Sequence, residues 1–258
     1  EESNDLVLQK EAYILTGIVH PARADVNIPK VKCALAGMFI KISGELEFSC
    51  TKSLITATFV TDSKIENINE LRNIIRNAVS IRVHYLGFTL GCGYDVEIER
   101  MIFPNGDVTV FGVDFPALRD QVEHSPLNLL KIENITGGIS SPTVSLILSD
   151  FNIALRDPDN LPFYCYRCIE AAMQFFKKDG MSEKAGWKLM HSQLNTERKR
   201  DGIDYIKNFS DSLRHGRLTN RTDQEGVEIV TKTWDILLKF FQFLSVNNNG
   251  KILQDPSS

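Results

Sequence analysis

The chain has 258 residues, of which 43% are hydrophobic and 24% are charged, and a formal net charge of −4. These values are typical of a soluble globular protein with room for one large domain or two small ones. No apolar run approaches the length of a membrane span, and the first ten residues lack the basic and apolar pattern of a signal peptide. We therefore expect a cytoplasmic protein with no membrane segment.

Charge is distributed unevenly along the chain, and the cysteines are scattered. Residues 1–150 contain 13 Lys and Arg against 19 Asp and Glu, whereas residues 151–258 contain 16 against 14, so only the second half favours a polyanionic partner. Five scattered cysteines argue against a secreted disulfide framework. Cys165 and Cys168 have C-x-x-C spacing, but no second ligand pair accompanies them, which favours small core residues over a metal or redox site.

The first half of the chain begins with strand patterns. Alternating or β-branched runs fill Ala12–Val19, Gly37–Phe48 and Ser53–Val60. These runs are typical of half-buried antiparallel strands. Pro21 and Pro29 bracket a predicted loop.

A helical period replaces the alternation over Asn67–Leu86. Asn67 followed three residues later by Glu70 is a plausible capping arrangement. Gly87 is predicted to end this helix in a left-handed turn.

The strand signal then returns at Tyr94–Phe103 and Val108–Gly112, joined by a Pro-Asn-Gly-Asp turn that predicts a hairpin. Asn128–Ile135 is a candidate for one further strand. One helix against several antiparallel strands indicates the α+β class. We place the domain boundary so that residues 1–138 form an α+β domain of unknown role and residues 139–258 form a helical bundle.

The second half repeats apolar residues at helical spacing through five segments joined by short loops, which predicts an antiparallel bundle. Pro142 suits a first helical turn, and Thr222 with Glu225 forms a capping box. The predicted apolar stripe of the first bundle helix is Val144, Leu148, Phe151 and Leu155. The first bundle helix is predicted to begin at Ser141 and the last to begin after Thr222. The three helices between them are predicted to span Asn160–Lys178, with Gly180 as a stop, Ser182–Asn195 and Asp201–His215.

Asp201–His215 is the predicted helix that gathers polar residues suited to a site at one end. These residues are Lys207, Asn208, Asp211, Arg214 and His215. Spacings of three and four place Asn208, Asp211 and His215 on roughly one face, and they do the same for Lys207, Asp211 and Arg214. A His beside basic and amide groups is the chemistry expected for phosphodiester cleavage, with the His transferring protons and a cation stabilising the pentacoordinate phosphate. We assign proton transfer to His215, phosphate contacts to Arg214 and Lys207, and orienting roles to Asn208 and Asp211.

A structural alternative explains the end of this helix without any function. Gly216 suits a helix cap, and basic residues are favoured beside the negative end of the helix dipole. The basic residues of Glu197–Arg200, together with Arg214, Arg217 and Arg221, would form a rim around His215 if the loops fold toward one end. They would otherwise be solvated loops.

The order of the helices, with a polar segment ending in His-Gly before a long last helix, resembles the HEPN superfamily over about residues 141–246. Tyr166–Glu170 is similar to the Arg-x-x-Glu-type stretch of many relatives. HEPN ribonucleases use an Arg, a polar residue usually next to it, and a His after four to six intervening positions, assembled across a dimer. Here His215 matches the family His and Asn208 resembles the polar residue. Lys207 stands at the Arg position, with seven residues before the His.

The resemblance implies an RNA- or nucleotide-directed module with no cofactor or metal. In its catalytic form it would be a metal-independent ribonuclease of a defence or toxin system, assembled as a homodimer. Many HEPN-like bundles are non-catalytic, so the second hypothesis is an interaction protein that dimerises or binds a protein partner through the bundle. The whole layout also resembles uncharacterised bacterial two-domain proteins.

The environment of His215, and its pairing with Glu170 or Asp211, discriminates between these hypotheses. Glu170 either faces inward and pairs with Arg214 or His215, or lies at the border of the apolar stripe. A buried His215 paired with Glu170 or Asp211 would favour the interaction protein. An exposed His215 that faces its symmetry mate across a basic cleft would favour the enzyme.

Overall fold

The structure, a computed structural model, divides into two compact units, Glu1–Val113 and Asp114–Ser258. It describes residues 10–37, 40–112, 115, 117–118, 141–217 and 221–249. The boundary predicted at residue 138 and the candidate strand Asn128–Ile135 both lie outside the described residues, so they stay predictions. The α+β class is confirmed, because an antiparallel sheet precedes a helical region.

Within the described residues, the N-terminal unit is one antiparallel sheet of six strands in the order β2-β3-β4-β1-β5-β6. The strands are β1 (Glu11–His20), β2 (Ile28–Gly37), β3 (Ile40–Thr51), β4 (Leu54–Thr61), β5 (Asp95–Ile102) and β6 (Val108–Val110). The predicted hairpin is confirmed as β5 and β6, with Gly106 of its turn at φ 88°. A positive φ is the conformation that favours glycine in a tight turn.

The sequence pattern missed β2. The predicted loop up to Pro29 is wrong at its end, since β2 begins at Ile28 and contains this proline. The pairing register of β2 with β3 shifts between Ile28 and Val31, around Pro29. Proline cannot donate to a sheet ladder, and it is tolerated here because β2 is an edge strand.

Helix α1 (Ile68–Leu90) packs on this sheet. Its N-cap is Asn67, as predicted, whose side chain accepts two backbone N–H bonds of the first turn at 3.0 and 3.2 Å. The predicted end at Gly87 is wrong, because the helix continues for three residues and Gly91 at φ 66° caps it. Gly87 is required for packing instead, since a Cβ there would lie 2.5 Å from the carbonyl oxygen of Cys92.

The core of the N-terminal unit is apolar. Burial of each large side chain contributes roughly 1.5–3 kcal/mol. The residues with no exposed surface include Leu71, Ile75, Val79 and Val83 of α1 and Leu15 and Phe59 of the sheet.

The described residues of the C-terminal unit form five long helices. They are α2 (Ser141–Arg156), α3 (Leu161–Phe176), α4 (Glu183–Leu194), α5 (Ile203–Arg214) and α6 (Asp223–Asn249). Helix α3 is central, because it packs against each of the other four. It ends at Phe176, four residues before the predicted stop, and Gly180 at φ 76° lies in the turn that follows.

The buried face of α2 differs from the predicted stripe. Leu148 and Leu155 are exposed. The reason is an ion pair, because the buried carboxylate of Asp150 accepts two hydrogen bonds of 2.6 and 2.7 Å from the guanidinium of Arg167 on α3. The side chains that α2 buries are Val144, Ile147, Asp150, Phe151 and Ala154.

Candidate functional site

The turn before α5 is held by Asp201. Its carboxylate accepts hydrogen bonds of 2.7 Å from the backbone N–H of Glu197 and from the ammonium of Lys239 on α6. Burial acts to raise the pKa of Asp201, but these donors outweigh it, and the pKa lies below its ordinary value. Gly202 at φ 74° follows, so α5 begins at Ile203, two residues later than predicted.

Helix α5 brings three of the predicted site residues together. The carboxylate of Asp211 lies 3.2 Å from the ammonium of Lys207 and 3.7 Å from the guanidinium of Arg214. Such partly exposed pairs contribute less than about 1 kcal/mol to stability. Within the described part of the chain, the exposed side chains of Asn208 and His215 make no hydrogen bond or ion pair.

The C-terminus of α5 has the geometry of a left-handed glycine cap. Gly216 has φ 67°, and its N–H donates to the carbonyl of Leu213 at 2.9 Å. The N–H of Arg217 donates to the carbonyl of Ser212 at 3.0 Å, which completes a Schellman-type end. The structural explanation of this segment therefore holds, and it leaves the side chain of His215 exposed.

Glu170 of α3 lies close to this cluster. It is half-buried, and burial raises the pKa of its carboxyl, while Arg214 is the nearby charge that most opposes the rise. Glu183 and Asp211 raise the pKa further. In the ranges that the structure describes, Glu170 forms no ion pair within 4.0 Å. Glu170 therefore lies near the cluster but does not form the predicted close pair with Arg214 or His215.

A pocket of about 640 Å³ adjoins the cluster, because Lys207 belongs to both. Four of its lining side chains are cationic and one is a carboxylate. Arg198 and Lys207 are paired with Asp204 and Asp211, so the positive charge without an ion-pair partner among the described residues comes from Lys184 and Lys188. The pocket is lined by Tyr166 of α3, by Glu183, Lys184, Trp187, Lys188 and His191 of α4, by Arg198 of the following turn, and by Lys207 of α5.

One wall of the pocket is a stack of rings. The ring of Trp187 lies 6.4 Å from that of Tyr166 and 5.8 Å from that of His191, at interplanar angles of 18° and 28°. The guanidinium of Arg198 lies 5.0 Å from the Trp187 ring centroid, within cation–π range. Burial raises the pKa of Tyr166 to about 12, so its phenol stays protonated at neutral pH and can donate a hydrogen bond.

His191 has one nitrogen in use and one unpartnered. Its Nδ1 lies 2.9 Å from the hydroxyl oxygen of Thr196. Its Nε2 is buried and has no hydrogen-bond partner among the described residues. Burial, and then the charge of Arg198, lower the pKa of His191, so the imidazole is neutral at pH 7. A neutral ring with an unused nitrogen can form one hydrogen bond with an uncharged group of a ligand.

The predicted basic rim divides into different roles. Arg198 lines the pocket and pairs with Asp204 at 2.8 Å. Arg200 instead donates to the carbonyl of Asn195 at 2.6 Å, and Lys199 is exposed. Arg221, by contrast, is partly buried, with its guanidinium donating to the carbonyl of Pro158.

The C-x-x-C pair lies in the core, as expected. Cys165 and Cys168 are both buried, and burial raises the pKa of each thiol, to about 12 for Cys165. The Cys168 thiol donates to the carbonyl of Ile147 at 3.4 Å. Across the described ranges, no three His, Cys, Asp or Glu side chains converge as metal ligands.

Sequence reasoning missed most of the pocket. A signal was nonetheless present, because Lys184, Lys188 and His191 recur at spacings of four and three and therefore share one face of α4. The contributions of α3 and of the turn at Arg198 carry no local pattern that connects them with this face.

The pocketed bundle and the sheet together define a two-domain α+β protein. The N-terminal domain model of a family described as a domain of unknown function (DUF8168) matches residues 13–111, and its C-terminal domain model matches residues 130–245. The chain belongs to this DUF8168 family. Neither match connects it with the HEPN superfamily, which stays a resemblance. No curated protein and no solved structure matches the chain.

The helices also bear on the expected absence of a membrane segment. Among the described residues, none of the helices combines the length and the apolar character that crossing a bilayer requires.

Proposed function

We propose that the C-terminal bundle is an RNA- or nucleotide-binding module and that the pocket between α3, α4 and α5 is its binding site. The observation that carries this proposal is the set of four cationic side chains that line the pocket, two of which, Lys184 and Lys188, form no ion pair among the described residues. Cations grouped around a concave site are the usual means of binding phosphate groups.

The rest of the pocket suits the uncharged parts of such a ligand. The ring faces of Trp187 are already covered by Tyr166 and Arg198, so this wall would offer the edge of the ring, rather than a face, to a base. Protonated Tyr166 and neutral His191 supply hydrogen-bonding groups for a base or ribose. Phosphate contacts fall to the lysines at the pocket mouth, Lys184 and Lys188, both of which are exposed.

The catalytic form of the proposal is a metal-independent ribonuclease acting in the cytoplasm as a homodimer. His215 would transfer protons, while Lys207 and Arg214 contact the scissile phosphate and Asn208 and Asp211 orient the groups. The exposure of His215 and the double role of Lys207, which lines the pocket and pairs with Asp211, support this form. An RNA strand in the pocket would then pass the end of α5.

Binding is tested by titrating a labelled single-stranded RNA of mixed sequence, with ATP and inorganic phosphate as competitors. We expect the double variant Lys184→Glu/Lys188→Glu to lose at least about tenfold in affinity and the salt dependence of its log affinity to fall by about 0.7 per lost contact. The matched control is Lys64→Glu/Lys178→Glu, which makes the same charge change at exposed lysines outside the pocket lining. An equal loss in both variants would show non-specific attraction and refute the pocket.

Cleavage is tested on the same RNA in the presence of a chelator, with wild type and His215→Ala. The ribonuclease form requires cleavage by wild type, none by the variant, and unchanged RNA affinity, because His215 lies outside the pocket lining. Intact RNA with wild type would refute catalysis and leave the binding proposal standing on the titration.

A further inference from the structure

Helix α1 in the N-terminal unit is apolar on two opposite sides. One side is buried against the sheet. On the other side, Ile81, Tyr85 and Phe88 are 62%, 70% and 84% exposed. A contiguous group of large exposed apolar side chains on a soluble unit marks an interaction surface.

The spacing along this outer side indicates the shape of the occupant. Apolar residues alternate at intervals of four and three through Ile74, Ala78, Ile81, Tyr85 and Phe88. This is the repeat by which one helix packs along another, with alternate residues inserting between those of the facing helix. The first two residues of the repeat are half-buried, so its exposed part, the α1 outer seam, consists of Ile81, Tyr85 and Phe88.

The charges beside the seam indicate the chemistry of the occupant. Arg82 and His84 are exposed and flank the seam in the positions next to its core residues. No Asp or Glu occurs between Leu71 and Tyr94. A second copy of this segment offers no carboxylate to pair with Arg82, whereas a helix with carboxylates along its edges would be complementary.

We propose that the α1 outer seam binds an amphipathic helix of a partner protein, with apolar residues at three–four spacing and with Asp or Glu on both flanks. This interaction is independent of the pocket in the bundle. It also uses the N-terminal domain, to which the sequence assigned no role.

The test is a selection of peptides from a random library displayed on a helical scaffold, with the full-length protein as bait. We expect enriched peptides to have apolar residues at three–four spacing with flanking Asp or Glu. Tyr85→Ser/Phe88→Ser should weaken a selected peptide by at least about tenfold, as expected for truncated aromatic anchors. Leu54→Ser is the matched control, because Leu54 is a 61% exposed apolar residue on β4. Far-UV circular dichroism checks that each variant is folded.

A charge exchange tests the flanks separately. Arg82→Glu should lower the affinity of an acidic-flanked peptide and raise that of its Lys-flanked counterpart, both effects shrinking at high salt. The proposal is overturned if no peptide is enriched over the Tyr85→Ser/Phe88→Ser bait, or if the enriched peptides lack acidic flanks. Two further results would also overturn the proposal. One is a concentration-dependent dimer in sedimentation that Tyr85→Ser/Phe88→Ser abolishes, and the other is binding to vesicles of anionic lipid that the same variant abolishes.

Discussion

The two units of this protein use charged side chains in different ways. In the sheet unit, the ion pairs of Lys30 and Lys32 with Glu47 connect neighbouring strands at the surface, with the lysine side chains 65% and 76% exposed. In the bundle, Asp150 is only 1% exposed and Asp201 only 14%, and each binds a cation of another helix. The bundle therefore buries these two carboxylates more deeply than the sheet unit buries Glu47, which is 32% exposed.

The difference follows from how each architecture satisfies its backbone. In a sheet, the hydrogen bonds between strands themselves fix spacing and register. A helix satisfies its backbone internally, so its position relative to another helix depends on side chains alone. The Asp150–Arg167 pair connects α2 with α3, and the Asp201–Lys239 pair connects the turn before α5 with α6. These pairs therefore help to position α3 and the turn before α5, both of which line the pocket.

The largest expected effect comes from breaking the buried pair with Asp150→Ala. This change removes two charge-assisted hydrogen bonds and opens a small cavity in the bundle, while Arg167, which is 43% exposed, stays partly solvated. The cost in the free energy of unfolding should be about 2–3 kcal/mol. Urea unfolding followed by tryptophan fluorescence measures it, because both tryptophans, Trp187 and Trp234, lie in the bundle.

The matched control for this prediction is an exposed pair in the same unit. Glu197 is 69% exposed and lies 3.8 Å from the guanidinium of Arg200, so Glu197→Ala should cost no more than about 0.5 kcal/mol. Similar losses for Asp150→Ala and Glu197→Ala would contradict the contrast between buried and surface charges.

A smaller effect is expected in the sheet unit, where the distance between paired backbones determines how well the strands pair. A Cβ at Gly17 of β1 would lie 2.1 Å from the carbonyl oxygen of Glu97 on β5, next to an irregularity in their register. Gly17→Ala should therefore destabilise the pairing of β1 with β5 by about 2 kcal/mol. Hydrogen exchange of peptides from these strands measures the loss locally.

Gly93→Ala is the control for the sheet prediction, because a Cβ there would meet nothing within 4 Å and its φ is not positive. It should leave strand exchange unchanged or slow it slightly, since alanine restricts the unfolded chain. Unchanged hydrogen exchange in Gly17→Ala would show that β1 and β5 can move apart to accommodate the added methyl group. It would contradict the expectation that the close backbone approach at Gly17 stabilises their pairing.

Local features of the fold could be predicted from the sequence. The capping box is an example, since the Thr222 N–H donates to the Glu225 carboxylate at 2.7 Å and the Glu225 N–H donates to the Thr222 hydroxyl at 3.2 Å. The grouping of Lys207 with Asp211 was also predictable, because residues four apart on a helix are neighbours.

Features that depend on distant residues could not be predicted. The predicted stripe of α2 failed because Asp150 is buried only through its pairing with Arg167, 17 residues away. The pocket required α3, α4 and α5 to converge, and no spacing within a single segment specifies this. The edge position that allows Pro29 in β2 likewise depends on sheet order, which only the assembled strands define.

The smallest effects should appear in the pH dependence of the bundle, where two carboxyl groups act in opposite directions. The lowered pKa of Asp201 contributes stability above its ordinary value of 3.8, and this contribution is lost as the pH falls through the folded-state pKa. The raised pKa of Glu170 does the reverse, because the cost of ionising it is absent below 4.5 and grows as the pH rises through the folded-state pKa.

Glutamine and asparagine substitutions separate the two contributions in urea unfolding followed by tryptophan fluorescence. Glu170→Gln should match wild type in acid and exceed it in stability at pH 7, whereas Asp201→Asn should be less stable at pH 7 and converge with wild type in acid. Each difference should stay below about 1 kcal/mol, because Glu170 is partly solvated and the asparagine side chain at position 201 keeps one of the two accepting oxygens. A Glu170→Gln variant less stable than wild type at pH 7 would show that attraction by Arg214 and Lys207 outweighs burial, and Glu170 would then be a structural partner of the α5 cluster.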